Sequence, residues 1–570
     1  MEPREEIIKQ LKQLTNLKEI NLETPPKNLG DYAFPCFVLS EILKQNPAQI
    51  ARELAGKIKT TNLIEKVQAA GPYLNFFINK TIIAEIVLNK IAREKNMFGS
   101  RKHAKAGHHM GYPTAEKILV EHTSINPNAS PHIGRARNAF LGDFIVRLLK
   151  FQGYEVQTHY FVNDIGKQIA MLVLGAENKE KITFTDLLKL YIKINEKIEK
   201  EPELEKHVFE LLNKLERGDE KTKKKFADIV DICVKGQLKI LSELNIKYDK
   251  FDFESDYLWT KKTDRVLEAL EKTGKLFLDE EHRYVLDQKE FELPMESPVL
   301  VLTRADKTSL YPLRDLAYHI DKKKTRNILV LGEDQKLYFQ QLKCALTLLN
   351  KPIPIPVFYS FVLLETGSPT STGRRTGGKM STRKGNLILL EDFMKEALEK
   401  AKEEIKNRHA DVNEEDAKKI AYGAIKYSIL KVSPERNVIF SWKALQFEGD
   451  TGPYLQYACA RINSILRKSE EKIDKKINFS LFKTDEENNL IKMLANFEGV
   501  IAESGRTLKP TILINYIYNL AQSFSNFYIK CPVLKAEQNL RKARLLLANS
   551  VKQVLEIGLN ILGIEILEKM

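Results

Sequence analysis

One stretch of the chain alternates β-prone and helix-prone segments in an order that few folds accommodate. A β-prone run, EKILVEHT (116–123), leads through the turn-rich NPNASPHIG (126–134) into a helical pattern with an apolar residue at every fourth position from 136 to 148. A second β-prone run, YEVQTHYF (154–161), and another helical segment follow. This order is typical of a doubly wound parallel α/β sheet, in which ligands bind at the carboxyl ends of the strands.

The same pattern extends over residues 110–410, which we expect to form one Rossmann-type α/β domain. Its middle, from about 175 to 250, is dense in Lys and Glu, with Leu and Ile at helical spacing, and is interpreted as a helical insertion. The strand and helix pattern resumes at SPVLVLT (297–303) and at NILVLGEDQ (327–335).

Two further domains are predicted on either side. Residues 1–105 alternate helical runs with β-prone pieces such as YLNFFI (73–78), which is typical of a small α+β domain. The basic, glycine-containing stretch 99–115 is interpreted as a linker. From 411 to 570 the pattern is almost purely helical, which predicts an all-α helix bundle.

Composition narrows the classes of partner and compartment. The 570 residues carry a formal charge of +14, which favours a polyanionic partner. The five cysteines are scattered, so neither a zinc site nor a disulfide framework is expected, and a reducing compartment is indicated. The charged N-terminus is unlike a signal peptide. The uncharged run 510–529 contains several Asn, Gln and Ser residues, which predicts a buried bundle helix rather than a membrane span.

The turn after the first β-prone run contains His132-Ile133-Gly134. At a helix N-terminus, unpaired N–H groups and the positive end of the helix dipole favour an anion. Gly134 would let a flat base or ribose approach the backbone, and His132 could donate a hydrogen bond to charge that develops on phosphorus. Taken alone, this short motif is weak evidence, and an ordinary loop is the simpler interpretation.

A second candidate is the loop GGKMSTRKG (377–385). Its three cations, set among small residues, suit a leaving pyrophosphate whose charge must be neutralised in the transition state. A basic surface loop is the simpler interpretation of this loop by itself. The two motifs together, one early in a Rossmann-type domain and one after its last strand, are more specific.

With several longer blocks, these motifs resemble class I aminoacyl-tRNA synthetases and, within that class, the arginyl-tRNA synthetase family. The blocks follow in the family's order over essentially the whole chain: NLGDYAFPCF, GPYLNFFIN, VEHTSINPNASPHIG, YFVNDIGKQ, SLYPLRDLAYH, LGEDQKLYFQQL, KMSTRKG and FEGDTGPYLQYACARINSI. The resemblance implies that L-arginine is activated with Mg²⁺-bound ATP to arginyl-adenylate and then transferred to the 3' end of tRNA(Arg). We expect a cytoplasmic monomer with no protein-bound zinc and no membrane association.

Catalytic and ATP-binding residues follow from the resemblance. The catalytic candidates are His132, Arg135 and Lys379. The ATP-binding candidates are Asn128, His132, Gly134, Asn138, Met380, Ser381 and Lys384. Two positions depart from the class: Arg135 stands where a second histidine is usual, and Thr382 stands where a second lysine is usual. An arginine can pair with phosphate but cannot act as a neutral donor.

The arginine pocket implied by the resemblance consists of Glu121, Asn126, Tyr311, Asp315 and Gln335. Carboxylates can take a guanidinium bidentately and an aromatic ring can stack on it, which suits Glu121, Asp315 and Tyr311. Asn126 and Gln335 would hold the α-amino and carboxylate end. Without the resemblance, Glu121 would be interpreted as a salt-bridge residue and Asp315 as a helix cap.

The remaining domains are expected to bind tRNA. Tyr73 and Asn75 match positions of the family's module for the tRNA elbow, and Tyr73 could stack on an exposed base. Tyr454, Tyr457 and Arg461 are candidates in the anticodon-binding bundle, where their spacing puts them on one helical face. Core packing would explain both sets equally well. Two other functions stay open: a non-catalytic tRNA-binding relative, and a class I synthetase for lysine.

Overall fold

A computed structural model describes residues 3–23, 25–26, 29–100, 117–177, 179, 181–322, 326–364, 389–408, 413–469, 471, 473 and 476–568. From position 101 onward the predicted linker therefore lies outside the described residues. By packing, the chain divides into two compact units. One comprises residues 1–98, 462–498 and 519–554, and the other comprises 99–461, 499–518 and 555–570.

Helices dominate both units. In chain order they are α1 (Pro3–Thr15), α2 (Phe37–Leu43), α3 (Pro47–Lys57), α4 (Lys80–Glu94), α5 (Ile133–Phe151), α6 (Lys167–Ala176), α7 (Phe184–Lys200), α8 (Glu203–Glu216), α9 (Glu220–Glu243), α10 (Lys262–Glu271), α11 (Tyr311–Asp321), α12 (Lys336–Leu348), α13 (Leu390–Asn407), α14 (Glu414–Leu430), α15 (Gly452–Lys468), α16 (Asp485–Thr507), α17 (Pro510–Lys530) and α18 (Gln538–Ile561).

The strands form four sheets among the described residues. They are β1 (Tyr32–Pro35), β2 (Ile64–Ala70), β3 (Tyr73–Ile78), β4 (Lys117–Glu121), β5 (Glu155–Val162), β6 (Lys250–Phe253), β7 (Leu276–Leu278), β8 (Tyr284–Asp287), β9 (Val299–Val301), β10 (Arg326–Gly332), β11 (Ile355–Tyr359), β12 (Val362–Leu364) and β13 (Val438–Phe440).

A five-stranded parallel sheet organises the larger unit, in the order β11–β10–β4–β5–β6. The chain runs outward from β4 through β5 to β6 and later returns to the other side of β4 as β10. The strand order therefore reverses between β4 and β10, and in open α/β sheets ligands bind in the crevice beyond the carboxyl ends at such a point. The doubly wound Rossmann-type fold predicted from the sequence is confirmed, as are the helical insertion, the N-terminal α+β domain and the C-terminal helix bundle.

The helical insertion consists of α7, α8 and α9, between β5 and β6. The segment 297–303 differs from its expected place in the parallel sheet. It contributes β9 to a separate antiparallel sheet, β7–β8–β9, where β9 pairs with β8. A short apolar run carries no information about which sheet it joins, because the pairing partner decides it. Likewise, one short strand, β13, interrupts the helical pattern after residue 411 and pairs in parallel with β12.

Helix α5, which follows the His-Ile-Gly motif, is buried on nearly every side. The apolar face predicted from 136 to 148 is buried, but so are Arg137, Asn138 and Asp143. The helix packs on β5 and β10 and also against α13 and α14, so a one-sided pattern underestimates its burial. Gly142 marks the closest approach, because a Cβ atom there would overlap the ring of His122.

The run 510–529 forms α17, which buries Leu513, Ile517, Leu520 and Phe524 completely. Across the described residues, no helix combines the length and apolarity that a membrane crossing requires.

Candidate active site

The loop after β4 is the first wall of the site. Its backbone takes positive φ at two consecutive non-glycine residues, Thr123 (73°) and Ser124 (40°), a conformation that other contacts must hold in place. The buried amide of Asn138 does so: its Oδ1 accepts from Thr123 N at 2.5 Å, and its Nδ2 donates to the Val330 carbonyl at 2.8 Å. Asn138, predicted to bind ATP, therefore uses its amide to tie β4 to β10 across the switch point.

A buried glutamine of the helical insertion holds the next part of the loop. Gln237, on α9, donates through Nε2 to the carbonyls of Asn126 (3.1 Å) and Ala129 (2.9 Å). Its Oε1 accepts from Tyr160 Oη at 2.9 Å, and the same hydroxyl accepts from Ile125 N. Because Gln237 and Tyr160 are completely buried, this network fixes the path of the loop into α5.

His132 is the N-cap residue of α5 and lies in extended backbone. Its Nδ1 is buried and has no hydrogen-bond partner among the described residues. Burial, reinforced by the charge of Arg135, lowers the pKa of His132 to about 4. At neutral pH the imidazole is therefore uncharged and has an unused ring nitrogen beside the unpaired N–H groups of the helix N-terminus, an arrangement suited to phosphate.

Arg135 and Arg137 face different environments although they share the first turns of α5. Arg135 is half-buried, and its guanidinium forms no hydrogen bond or ion pair with a described residue. Arg137 is completely buried and donates to main-chain carbonyls, including those of Ser360 and Arg436 at 2.7 Å. The cation at 135 is thus available to an anion at the helix N-terminus.

Glu121, the last residue of β4, is held by a buried lysine. Its Oε2 accepts from Lys322 Nζ at 2.5 Å and from Tyr318 Oη at 2.6 Å. The Lys322 side chain is 6% exposed, and burial lowers its pKa despite the opposing effect of Glu121. Tyr318 also reaches Asp252 at 3.0 Å, and Asp252 in turn contacts His159.

Asp315 lies opposite on α11 and has no cationic hydrogen-bond partner among the described residues. Its Oδ2 accepts from Tyr338 Oη at 2.7 Å, and His319 lies 3.5 Å from Oδ1. Burial lowers the pKa of His319 well below its ordinary value, so that contact is not an ion pair. Burial, with repulsion from Glu121, raises the pKa of the Asp315 carboxyl to about 7. The two carboxylates therefore lie close enough to interact.

Tyr311 stands at the mouth of this pocket, at the first position of α11. It is 38% exposed, and its ring packs against that of Tyr338 with centroids 5.3 Å apart. Tyr311 is thus partly exposed while its hydroxyl end lies among the pocket acids, and Tyr338 holds Asp315.

The two residues expected to hold the α-amino and carboxylate end of arginine, Asn126 and Gln335, lie in the loops after β4 and β10. Asn126 and Asn128 both donate through Nδ2 to Gln168 Oε1, at 3.2 and 3.0 Å. Gln335 is exposed and is the N-cap residue of α12, three residues after the end of β10. Gln168 belongs to the YFVNDIGKQ block, yet nothing in its sequence context marked it as a partner of the two asparagines.

The lysine-rich loop lies outside the described residues, as do its candidates Lys379, Met380, Ser381 and Lys384. The chain that follows this loop is described from residue 389 and contacts the His-Ile-Gly motif. Leu390 N donates to the Pro131 carbonyl at 2.8 Å, and Leu389 forms a β-bridge with His132.

The candidates for tRNA binding differ in accessibility. Tyr73 is half-buried and makes an edge-on ring contact with Phe37 at 5.8 Å, whereas Asn75 is 3% exposed within the sheet. On α15, Tyr454, Tyr457 and Arg461 are half-exposed, while the residues between them are buried. Arg461 Nη2 donates a hydrogen bond to Tyr457 Oη at 3.0 Å. The guanidinium also lies 4.6 Å from the Tyr457 ring centroid.

No group of three His, Cys, Asp or Glu side chains suited to a metal ion occurs among the residues that the structure describes. Five polar residues in or beside the site carried no signal that sequence reasoning could use. Gln237, Tyr318, Lys322 and Tyr338 contact a candidate residue or its backbone only through the fold, and Arg137 contacts the backbone of segments that border the site.

Three protein-family models match the chain. "tRNA synthetases class I (R), catalytic domain" matches residues 102–442, "DALR anticodon binding domain" matches 455–570, and "Arginyl tRNA synthetase N terminal domain" matches 2–78. The first of them alone covers more than half of the chain.

Curated relatives and solved structures agree with these matches. The arginine–tRNA ligase of Methanocaldococcus jannaschii is 39% identical, over 99% of this chain and 99% of its own length. That of Methanococcus aeolicus is 37% identical over the same shares. The structure of the Thermus thermophilus arginyl-tRNA synthetase is similar with a TM-score of 0.81 and 28% identity, over 99% of each chain.

Proposed function

The chain belongs to the arginyl-tRNA synthetase family, and from that premise we propose how its residues perform the arginine–tRNA ligase reaction. An oxygen of the arginine carboxylate attacks the α-phosphorus of ATP, and pyrophosphate leaves. The terminal ribose hydroxyl of tRNA(Arg) then attacks the arginyl carbonyl of the adenylate, loses its proton and displaces AMP. Both steps require positioning and charge stabilisation, without a covalent enzyme intermediate.

The observation that carries the proposal is the pair of carboxylates at the switch point, Glu121 on β4 and Asp315 on α11. A guanidinium offers a planar fork of donors that matches two carboxylates, and Tyr311 would cover it with its ring. The pKa of Asp315 is raised to about 7, and a bound guanidinium would lower it by favouring the ionised carboxylate. Of the two carboxylates, Asp315 would therefore be stabilised more by the substrate cation.

ATP would lie at the N-terminus of α5. The unused buried nitrogen of His132 fits a phosphate oxygen, and Gly134 leaves room for the nucleotide. Arg135 would supply a charge-assisted contact in place of the second histidine. Mg²⁺ would come with the ATP phosphates, where it screens their charge, and Lys379 would act on the leaving pyrophosphate.

The three family matches support a division of labour along the chain. We assign residues 1–105 to the tRNA elbow, 110–410 to catalysis and 411–570 to the anticodon. Tyr457 and Arg461 are the strongest candidates for contact with the anticodon loop, because a half-exposed ring backed by a guanidinium suits base stacking. The proposed reaction serves translation, which favours the cytoplasm, and a monomer is proposed; cell fractionation and sedimentation would check the two.

The deciding experiment is ATP-dependent charging of unfractionated tRNA with labelled arginine and, separately, labelled lysine. Charging with arginine alone is expected. Charging with lysine would overturn the pocket assignment, and tRNA binding without charging would favour a non-catalytic relative. Exchange of ATP with labelled pyrophosphate, with and without tRNA, would show whether activation needs the bound tRNA.

A further inference from the structure

Arg137 is the largest of the completely buried side chains, and it pairs with no carboxylate among the described residues. Its guanidinium instead donates to five main-chain carbonyls, those of Ser360 (2.7 Å), Arg436 (2.7 Å), Ser433 (2.8 Å), Val432 (3.4 Å) and Phe361 (3.5 Å). Burying a cation is costly, and these oxygens compensate for it at hydrogen-bond distance, while Glu333 and Glu435 add a favourable charge without contacting the guanidinium.

The acceptors belong to two segments that converge from distant parts of the sequence. Residues 360–361 lead into β12, and residues 432–436 lead into β13, its parallel partner. The segments also contact each other, since Ser360 N donates to the Pro434 carbonyl at 2.9 Å. Arg137 closes this junction from the helix side.

The junction reaches the switch point on its other side. Ser360 Oγ donates to Glu333 Oε2 at 2.6 Å, directly after β10 and next to the Gln335 candidate. At the start of α5, His132 forms a β-bridge with Leu389. The first two turns of this helix therefore contact both the segment before β12, through Arg137, and the segment that begins at residue 389, through His132. Displacement of Arg137 would therefore shift His132 relative to the loop after β10.

We propose that Arg137 is a positioning residue for adenylate formation, one that holds the 360–361 and 432–436 segments against α5 so that His132 and the end of β10 keep a fixed geometry around ATP. The inference rests on the proposed function. Lysine cannot replace this group, because a single ammonium has three donors and cannot span two segments with a planar fork.

The test compares Arg137→Lys with Arg147→Lys, the same change on the same helix. Arg147 pairs with Asp143 at 2.7 Å and donates to the Asn245 carbonyl, away from the ATP end of α5. Asn437→Ala provides a milder second probe, since the exposed Asn437 accepts from Phe361 N at 3.0 Å and so supports the same segment from outside.

Arg137→Lys should lower kcat of ATP–pyrophosphate exchange and of charging by roughly 10- to 100-fold and raise KM for ATP, because small misplacements of reacting groups cost that much. KM for arginine should stay within about twofold, since the carboxylate pocket is untouched. Asn437→Ala should lower kcat in the same way by a smaller factor, and Arg147→Lys should leave it unchanged. Thermal unfolding reports whether each variant folds.

A folded Arg137→Lys protein with wild-type kcat would overturn the inference. If that variant does not fold, wild-type kcat in Asn437→Ala overturns it instead. A wild-type protein that charges no arginine counts against the proposed function and not against the role of Arg137.

Discussion

Lys322 places its ammonium 2.5 Å from Glu121 Oε2, inside the pocket that the substrate guanidinium is proposed to enter. The protein therefore brings its own cation to one of the two pocket carboxylates. Among the residues that the structure describes, Asp315 has no such partner, and Lys322 contributes only a weaker lowering of its pKa from a distance. The pocket is thus left with one compensated and one uncompensated acid.

Removing that cation in Lys322→Met should move the pH profile of arginine binding. Without Lys322 the pKa of Asp315 rises further, so the acidic limb of kcat/KM for arginine should shift to higher pH. The Tm should also fall, because breaking a buried pair typically costs roughly 3–5 kcal/mol. Lys262→Met, which removes a half-exposed pair with Asp321, is the control and should leave the limb in place. An unshifted limb in Lys322→Met would contradict this electrostatic account.

In the wild-type protein, the raised pKa of Asp315 predicts a specific pH dependence. Asp315 binds a guanidinium when ionised, so kcat/KM for arginine should rise with pH and level off above the pKa of about 7. Asp315→Asn should abolish that limb and raise KM for arginine. Steady-state charging measured from pH 5.5 to 9 (roughly the range that brackets this group) would show it, and a flat profile would argue against the assignment.

His132→Ala should lower the rate of adenylate formation with little change in arginine binding. Loss of one preorganised donor at a developing negative charge typically costs roughly 10²- to 10³-fold in kcat. Because the pKa of His132 is lowered to about 4, no activity change near neutral pH should trace to its titration. His207→Ala, at an exposed position of α8, provides the control. An equal rise in KM for arginine and ATP at constant kcat would point to a binding role instead.

Gly142→Ala should destabilise the fold. The added methyl group would overlap the buried His122 ring, and overpacking typically costs roughly 1–3 kcal/mol. The matched change Gly56→Ala, near the end of α3 with nothing within 4 Å of the new Cβ, should instead be neutral or stabilise by about 0.5–1 kcal/mol. Thermal unfolding of both variants would compare them directly; equal Tm values would contradict the packing argument.

Tyr457→Ala should weaken tRNA binding, because a stacked base contributes roughly 1–3 kcal/mol. Tyr457→Phe keeps the ring beneath Arg461 and loses only the hydroxyl contact, so it should bind almost as the wild type does. Fluorescence titration with tRNA(Arg) would separate the two. Equal binding by both variants would assign this face of α15 to packing alone.

The strands of the parallel sheet and the His-Ile-Gly turn could be predicted from the sequence because both depend on local pattern. β4, β5 and β10 lie within a few residues of their predicted runs, and His132 caps α5 as expected. The pocket acids could be named only through the family resemblance. Their partners could not be named at all, since Lys322 and Tyr338 meet Glu121 and Asp315 only after the strands and α11 have packed.

The accessibility of polar residues was equally beyond local reasoning. Asn75 and Asn138 were matched to ligand-contacting positions, yet the structure buries both, and the oxygen and nitrogen of the Asn138 amide each make a hydrogen bond within the protein. An asparagine amide can hydrogen-bond to solvent, to a ligand or to the backbone, depending on the residues around it in the folded protein. A short stretch of sequence does not contain that information.

The acceptors of Arg137 have an evolutionary consequence. Since every one of them is a main-chain carbonyl, Arg137 makes no direct contact with the side chains at 432, 433 or 436, which can change as long as the backbone keeps its course. Selection to keep this junction would therefore act mainly on Arg137. A relative that loses this arginine would have to rebuild two segments at once, so substitution there should be far rarer than at the positions it holds.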